Sequence, residues 1–288
     1  MSSGRQYGLL FVLPAISVLA LLVVYPLAYT GLLSVTDDQG HYVGAANYAA
    51  VIGARVTTTA VWNTVYYVGA SIVLQIVLGT LAGVLLNQRF RGRAFVRSLT
   101  VIPWVIPGIV AATTWAWMFH TEFGIINYML ASAHVIDAPV GWLTGRNTVM
   151  PALIAINAWK LFPFVAVMVL AGLQAVPNEL YESARIDGAG FWQEVRHVML
   201  PQLRPVLTAI TLLLVIWGLN AITIIYTITR GGPANRTLIT PIEIFRYAFE
   251  QFQFNQAAAL SVLFFAVTVG FVAAYIKLFA TTAEPGVR

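Results

Sequence analysis

The segment NELYESARIDGAGFWQEVRHVMLPQLRP, residues Asn178–Pro205, is a dense polar island between two long apolar stretches. The 288-residue chain has 16 basic and 11 acidic side chains, and seven of them lie in this island. They are Glu179, Glu182, Arg185, Asp187, Glu194, Arg196 and Arg204, with His197 as a further titratable group. Because charged side chains are unfavourable inside a bilayer, we expect the island to face water and a soluble partner.

The composition around the island indicates a membrane protein. Hydrophobic residues make up 59% of the chain and the mean hydropathy is +0.79. Apolar runs of about 20 residues, the length that crosses a bilayer, recur along the sequence. We predict an all-α polytopic protein with one transmembrane domain, residues 1–288, and about six spans. The predicted spans are 8–33, 61–87, 99–119, 149–173, 206–229 and 257–280.

The distribution of arginine and lysine predicts the orientation in the membrane. Ten of these residues fall on the side that holds both termini and five on the other, with the densest group at 89–97. Basic loops stay in the cytoplasm during insertion, so both termini and the island are expected there. The net charge of +5 is explained by this topology, and no nucleic-acid partner is expected.

Within the island, the sequence predicts two short helices joined by a turn. Asn178 can cap an amphipathic helix, Gly188 interrupts it, and a second helical segment follows over 191–199. Pro201 is expected to end or bend that segment before the next span. We name residues 178–199 the elbow. On these observations alone, a solvated connection and a docking element explain the island equally well.

The motif in the elbow resembles the cytoplasmic loop of permease subunits of ATP-binding-cassette importers. That loop has Glu-Ala-Ala, then Asp-Gly-Ala, and farther on Leu-Pro. The matching residues here are Glu182, Ala184, Asp187, Gly188, Ala189, Leu200 and Pro201, with Ser183 replacing the first alanine.

The resemblance extends over nearly the whole chain and is strongest to the carbohydrate-uptake branch, which includes maltose-type and glycerol-phosphate-type permeases of bacteria. Further stretches that carry it are LPAISVLALLVVYPLAYTGLLSVTD (13–37), IPWVIPGIVAATTWAWMF (102–119), WKLFPFVAVMVLAGLQAVPNELYESARIDGA (159–189) and IYTITRGGP (225–233). It implies the type I importer permease fold, with the elbow as its coupling helix.

The resemblance also implies a function and a set of partners. The chain would import a sugar or related carbohydrate across the bacterial cell (inner) membrane. It would pair with a second homologous permease, two ATP-binding-cassette ATPase subunits and an extracytoplasmic substrate-binding (lipo)protein. The coupling residues it implies, within the coupling loop 177–205, are Tyr181, Glu182, Ala184, Asp187, Gly188 and Ala189. Among these, Glu182 would make the ionic contact with the ATPase, Gly188 the turn, and the apolar side chains would pack its groove.

No catalytic residue or metal site is predicted in the chain itself. Its two lysines, Lys160 and Lys277, lie in no GxxxxGK[ST] motif, so ATP and Mg are expected on the partner ATPase subunits and no cofactor here. Cysteine is absent, and neither GxSxG nor HExxH occurs. We therefore expect a transport subunit without enzyme activity of its own.

Polar and aromatic residues inside the spans are candidates for the substrate path, although helix packing explains them as well. The candidates are Asn157, Trp159, Trp217 and Asn220. Tryptophan faces and amides suit a sugar, which has apolar CH faces edged by hydroxyls. Lys160, in the middle of a span, is expected to have a structural role.

Other classes of transport protein remain as alternatives. The solute need not be a sugar, and a secondary transporter or a channel would need no ATPase. A secondary transporter would normally carry acidic groups within its spans, where the sequence has none. A channel would not require the elbow.

Overall fold

A computed structural model describes residues 12–279 of the chain, and these residues are almost entirely helical. Within this range the β structure is limited to one isolated bridge between Thr36 and Tyr42. The predicted all-α class is therefore confirmed. The residues of the first and last predicted spans that precede 12 or follow 279, and both chain termini, lie outside the described residues.

Twelve helices follow one another along the described part of the chain, and the longest connection between them is 133–148. They are α1 (Val12–Ser34), α2 (Ala46–Gly53), α3 (Arg55–Asn87), α4 (Arg93–Val105), α5 (Gly108–Met118), α6 (Ile125–Ser132), α7 (Val149–Gln174), α8 (Asn178–Ile186), α9 (191–219), α10 (Ile222–Thr229), α11 (Thr240–Phe245) and α12 (Phe254–Phe279). Single π-helical turns lie within α1 at Ala20–Val24, within α9 at Val195–Met199 and after α11 at Arg246–Glu250.

Five helices in the described part of the chain are long and apolar enough to cross a membrane: α1, α3, α7, α9 together with α10, and α12. The region of the third predicted span differs from a straight helix. There α4 and α5 are bent by 96° against each other, and together they have the length and composition of a sixth span. Pro107 lies at the break, where a proline cannot continue a helical hydrogen-bond pattern.

The chain divides into two compact units. The first comprises residues 12–58 and 243–269. Its core contains Val51 and Tyr247 with the first turns of α12. Polar side chains bind backbone and each other within it: Asn47 Nδ2 donates to the Thr36 carbonyl at 2.8 Å, and the Thr57 hydroxyl donates to Glu243 Oε1 at 2.8 Å.

The second unit comprises residues 59–242 and 270–279, and its core lies among α3, α7 and α9. The buried side chains there are Val84, Val165, Val169, Leu173, Met199, Leu203, Ile210 and Leu214. This hydrophobic cluster reaches the end of α7 and the start of α9. The elbow connects to the spans at the same place.

Two glycines let α3 and α7 approach closely. A Cβ added at Gly79 would lie 2.9 Å from the Phe162 carbonyl oxygen, and one at Gly83 would lie 2.9 Å from the Ala166 carbonyl oxygen. Small residues four positions apart allow helix backbones this contact in a membrane. The spacing of the pair is visible in GTLAG at 79–83, but the contact with α7 was not predicted from it.

The elbow joins its span without the interruption that the sequence predicts at Pro201. Instead, α9 runs continuously from residue 191 to 219, and the π turn Val195–Met199 immediately precedes Leu200 and Pro201. The wider π turn accommodates the proline ring and the missing amide, which would otherwise break the helix. The second helical segment of the elbow is therefore continuous with the span that follows it.

Candidate functional site

The elbow consists of α8 and the first turns of α9, which meet at a glycine turn. α8 ends at Ile186, and Gly188 has a φ of +81°, in the left-handed region. Glycine adopts this conformation without the strain that a side chain would cause. The second helical segment then begins at Phe191. The structure thus places Gly188 at the turn between the two helices.

A salt bridge holds the two helices of the elbow together. Arg185 Nε donates to Glu194 Oε1 at 2.7 Å, and the Glu194 side chain is only 8% exposed. A buried carboxylate requires a partner, which Arg185 supplies. This hydrogen bond also raises the pKa of the Arg185 guanidinium. This salt bridge was not predicted from the sequence, because the glycine turn separates Arg185 from Glu194 and removes any helical spacing between them.

The structure shows what the predicted coupling residue Tyr181 contacts within the chain. Its side chain packs against the core cluster of the second unit, and its hydroxyl is buried without a hydrogen-bond partner. Burial, and then the negative charge of Glu194, raise the pKa of this phenol. Tyr181 therefore packs on the chain's own core, at the end of the helix bundle. Its contact with an ATPase stays a prediction.

The outer surface of the elbow combines charge with exposed apolar side chains. Glu182 is exposed, Ile186 is 86% exposed and Trp192 is 72% exposed. Large apolar side chains this exposed on a water-facing segment are typical of an interaction surface. Of these three residues only Glu182 was predicted, although Ile186 and Trp192 stand out as large apolar residues inside the polar island.

The remaining predicted coupling residues lie near the end of α8 and in the turn after it. Ala184 and Ala189 are partly buried, and Asp187 is exposed directly after α8. The Ala189 amide donates to the Ala184 carbonyl at 2.9 Å, which closes the turn after α8. Their small side chains keep the turn compact. Their contact with an ATPase stays a prediction.

Lys160 fills a structural position at the break between α4 and α5. Its Nζ donates to the carbonyl oxygens of Ile106 at 2.5 Å and Trp104 at 3.5 Å. The end of α4 leaves carbonyls without helical partners, and a positive charge at a helix C-terminus is favourable. Lys160 thereby stabilises the bend, in agreement with the structural role expected from the sequence.

Two groups of aromatic rings lie near this bend. Phe164 lies between Trp104 and Trp217, with ring centroids 5.6 Å and 4.8 Å away. Trp104 is 41% exposed and Trp217 is 37% exposed, so part of each ring remains open. Separately, Trp159 meets Trp115 edge-to-face at 5.3 Å. Trp217 and Trp159 were among the predicted candidates for the substrate path, whereas Trp104 and Phe164 were not.

The two predicted asparagines occupy different environments. Asn157 is 4% exposed, and its backbone carbonyl oxygen accepts a hydrogen bond from Gln75 Nε2 at 3.4 Å. Asn220 is exposed at the end of the helical segment Leu200–Leu219, and its Nδ2 donates to the Ile216 carbonyl at 2.9 Å. Asn220 is therefore exposed, whereas Asn157 is buried beside Gln75 of α3. Their place on a substrate path stays a prediction.

Comparison with known families shows the class of protein to which these features belong. Residues 75–287 match the family described as "Binding-protein-dependent transport system inner membrane component". The match covers most of the chain, including the elbow and the aromatic groups. The chain therefore belongs to this family of multi-pass inner membrane transport components.

Curated relatives match along almost their whole length. The chain is 33% identical to the trehalose/maltose transport system permease protein MalF of Thermococcus litoralis, over 95% of this chain and 93% of that protein. It is 31% identical to the diacetylchitobiose uptake system permease protein DasB of Streptomyces coelicolor, over 96% of this chain and 87% of that protein. The predicted relationship to carbohydrate-uptake permeases is confirmed.

A solved structure has the same fold. It is a chain of a bacterial alginate ABC transporter in complex with an alginate pentasaccharide-bound periplasmic protein. The TM-score is 0.86 at 21% identity, and the match covers 99% of this chain and 98% of that chain. The predicted importer permease fold is confirmed by this match.

Proposed function

We propose that this chain forms one half of the membrane path of an ATP-driven carbohydrate importer. A second permease supplies the other half, and an extracytoplasmic binding protein delivers the solute. Two ATPase subunits bind ATP and Mg, and this chain contributes no cofactor. The elbow and both termini face the cytoplasm in a bacterial inner membrane, as the distribution of arginine and lysine predicts.

The structure of the elbow is the observation that carries this proposal. Its outer surface presents Glu182, Ile186 and Trp192, while its inner surface is joined to the core through Tyr181. The salt bridge between Arg185 and Glu194 keeps the two helices together. A partner that binds the outer surface and moves would therefore move α9 with it. Such a movement of a span is the mechanical step that ATP-driven transport requires.

Two observations support a carbohydrate as the solute. The MalF and DasB relatives are named for trehalose, maltose and diacetylchitobiose, all of them oligosaccharides. In this chain, the partly open rings of Trp104 and Trp217, with Phe164 between them, suit stacking on the CH face of a sugar ring. Asn220 supplies an exposed amide near the same end of α9.

Reconstitution with the partner subunits tests the class of solute. The assembly would be placed in liposomes with its binding protein and supplied in turn with disaccharides, monosaccharides and amino acids. We expect ATP hydrolysis and uptake to rise together with one or more sugars. Stimulation by amino acids alone would favour a non-sugar permease, and uptake without ATP would favour a channel or secondary transporter.

Cysteine cross-linking tests the docking of the elbow independently of the solute. The chain contains no cysteine, so a single introduced thiol reports one position. We expect Ile186→Cys to cross-link to an ATPase subunit that carries a cysteine in its docking groove. Trp62→Cys, on α3 and 69% exposed, is the matched control and should give no such product. Equal cross-linking at both positions would contradict docking through the elbow.

A further inference from the structure

A polar cavity lies on the inner side of the elbow. Its volume is about 750 Å3, and its walls are formed by the turn after α3, the end of α7 and the elbow itself. Small-molecule sites in proteins commonly have volumes of about 300–1,000 Å3. The cavity is therefore large enough for a ligand. Ile186 and Trp192 do not line it, whereas the exposed Glu182 belongs both to the cavity wall and to the outer surface of the elbow.

The charges on its walls are unevenly balanced. Arg89 and Arg93 line it from the turn between α3 and α4, while Glu182 lines it from the elbow. Arg185 and Glu194 also line it but are bound to each other at 2.7 Å. Within residues 12–279, no carboxylate lies within 4 Å of a nitrogen of Arg89 or Arg93. Two arginines without an ion pair thus face one carboxylate, and the cavity is net positive.

Unused hydrogen-bonding capacity adds to this charge. Tyr181 lines the cavity, and its buried hydroxyl has no hydrogen-bond partner among the described residues. A buried donor without an acceptor is unfavourable. Four amide side chains, Asn87, Gln88, Gln174 and Asn178, complete the polar lining. The walls therefore offer more donors than the chain itself uses.

We propose that this cavity is a binding site for a phosphate group. Arg89 and Arg93 would bind the phosphate from the turn between α3 and α4, and Arg185 lines the cavity from the elbow. Guanidinium groups bind phosphate through paired, charge-assisted hydrogen bonds. The cavity lies where the apolar helices α3 and α7 end, at Asn87 and Gln174, which is the level of phospholipid headgroups in a bilayer. The headgroup of an anionic phospholipid and a soluble phosphate compound are the two sources of such a group.

A bound phosphate would connect the elbow to the turn between α3 and α4. The movement of the elbow relative to the spans would then depend on whether the site is occupied. This consequence rests on the coupling function proposed above, whereas the binding itself does not. Binding is therefore measured directly, without transport, so that failure of one proposal is distinguishable from failure of the other.

The test compares two arginine variants of the purified chain. Arg89→Gln/Arg93→Gln removes both charges from the cavity. Arg91→Gln removes a charge from the same turn at an exposed residue that does not line the cavity. Melting temperature is measured in phosphatidylcholine nanodiscs with and without phosphatidylglycerol, and in detergent with inorganic phosphate against chloride at equal ionic strength.

We expect phosphatidylglycerol or phosphate to raise the melting temperature of the unmodified chain and of Arg91→Gln. The double variant should bind the same probe about tenfold more weakly or worse, because a hydrogen bond to a charged group typically contributes at least that factor. A response to phosphatidylglycerol alone identifies a headgroup site, and a response to phosphate identifies a site for soluble phosphate.

Two results would overturn the proposal. One is the absence of any response to either probe in the unmodified chain. The other is an equal loss of response in Arg91→Gln and in the double variant, because general attraction of anions to basic residues would affect both alike. If the double variant does not fold, Arg89→Gln alone, at an exposed residue, replaces it in the same comparison.

Discussion

The contact between α3 and α7 and the elbow are built in opposite ways. At the contact, Gly79 and Gly83 bring two backbones so close that no side chain fits between them. In the elbow, α8 has no buried residue, and Ile186 and Trp192 are largely exposed. The first region is complete within this chain. The second leaves apolar surface uncovered, which is unfavourable in water unless a partner covers it.

This difference indicates that the packed helices and the elbow of the second unit have different roles. The packed helices provide a rigid body, because close contacts tolerate little displacement. The elbow is attached to these packed helices by the contacts of Tyr181 and by the continuous helix α9, and its outer surface is exposed. Changes in the packed region should therefore affect folding, and changes on the outer surface of the elbow should affect coupling.

The largest effect on stability is expected from Gly79→Ala. The added Cβ would overlap the Val165 side chain, and overpacking of this kind typically costs about 1–3 kcal/mol. Gly69→Ala on the same helix is the matched control, because no heavy atom lies within 4 Å of its added Cβ. The melting temperature of the purified chain should fall for the first variant and stay level or rise for the second. Equal effects would show that α3 and α7 are not closely packed at Gly79.

A smaller and more local effect is expected from Gly188→Val in the elbow. The left-handed φ of +81° disfavours a β-branched residue by roughly 1–2 kcal/mol, although the position has no steric neighbour. Gly188→Asn should be tolerated better, since asparagine visits this region more readily. Limited proteolysis should show faster cleavage at the elbow of the valine variant, with little change in global melting. A global loss of stability as large as that of Gly79→Ala would remove the distinction between the two regions.

The smallest effect concerns two buried carboxylates that differ in their partners. Glu194 in the elbow is neutralised by Arg185, whereas Oε2 of Glu243 is buried without a hydrogen bond. Burial raises the pKa of Glu243 above 4.5, against the opposing effects of the Thr57 hydrogen bond and the Arg246 charge. The stability that this group contributes is then fully present below its unfolded pKa and lost as pH rises through the higher folded pKa.

The test of this difference is the pH dependence of melting for the unmodified chain and for Glu243→Gln. The variant cannot ionise, so its melting temperature should decline less as pH rises from about 4.5, the unfolded value. A pH profile identical to that of the unmodified chain would show that ionisation of Glu243 does not lower the stability of the folded state.

The sequence predicts the helical class and the helix–turn–helix of the elbow, because apolar runs and glycine positions are local signals. It does not predict the inward position of Tyr181 or the salt bridge between Arg185 and Glu194, which depend on how separate segments meet. Lys160 illustrates the boundary between the two. A charged side chain inside an apolar span is unfavourable without partners, so the sequence indicates a structural role for Lys160. Its partners, the carbonyl oxygens of Trp104 and Ile106, follow only from the bend between α4 and α5.

The measurement that tests the account most directly is binding-protein-stimulated ATP hydrolysis and solute uptake by the reconstituted assembly carrying Glu182→Ala. Glu182 is exposed in the free chain, so the variant should fold and melt as the unmodified protein does. Loss of a charge contact at an interface should lower both activities at least about tenfold. Unchanged uptake and hydrolysis would contradict the central claim that a partner grips the outer surface of the elbow through Glu182.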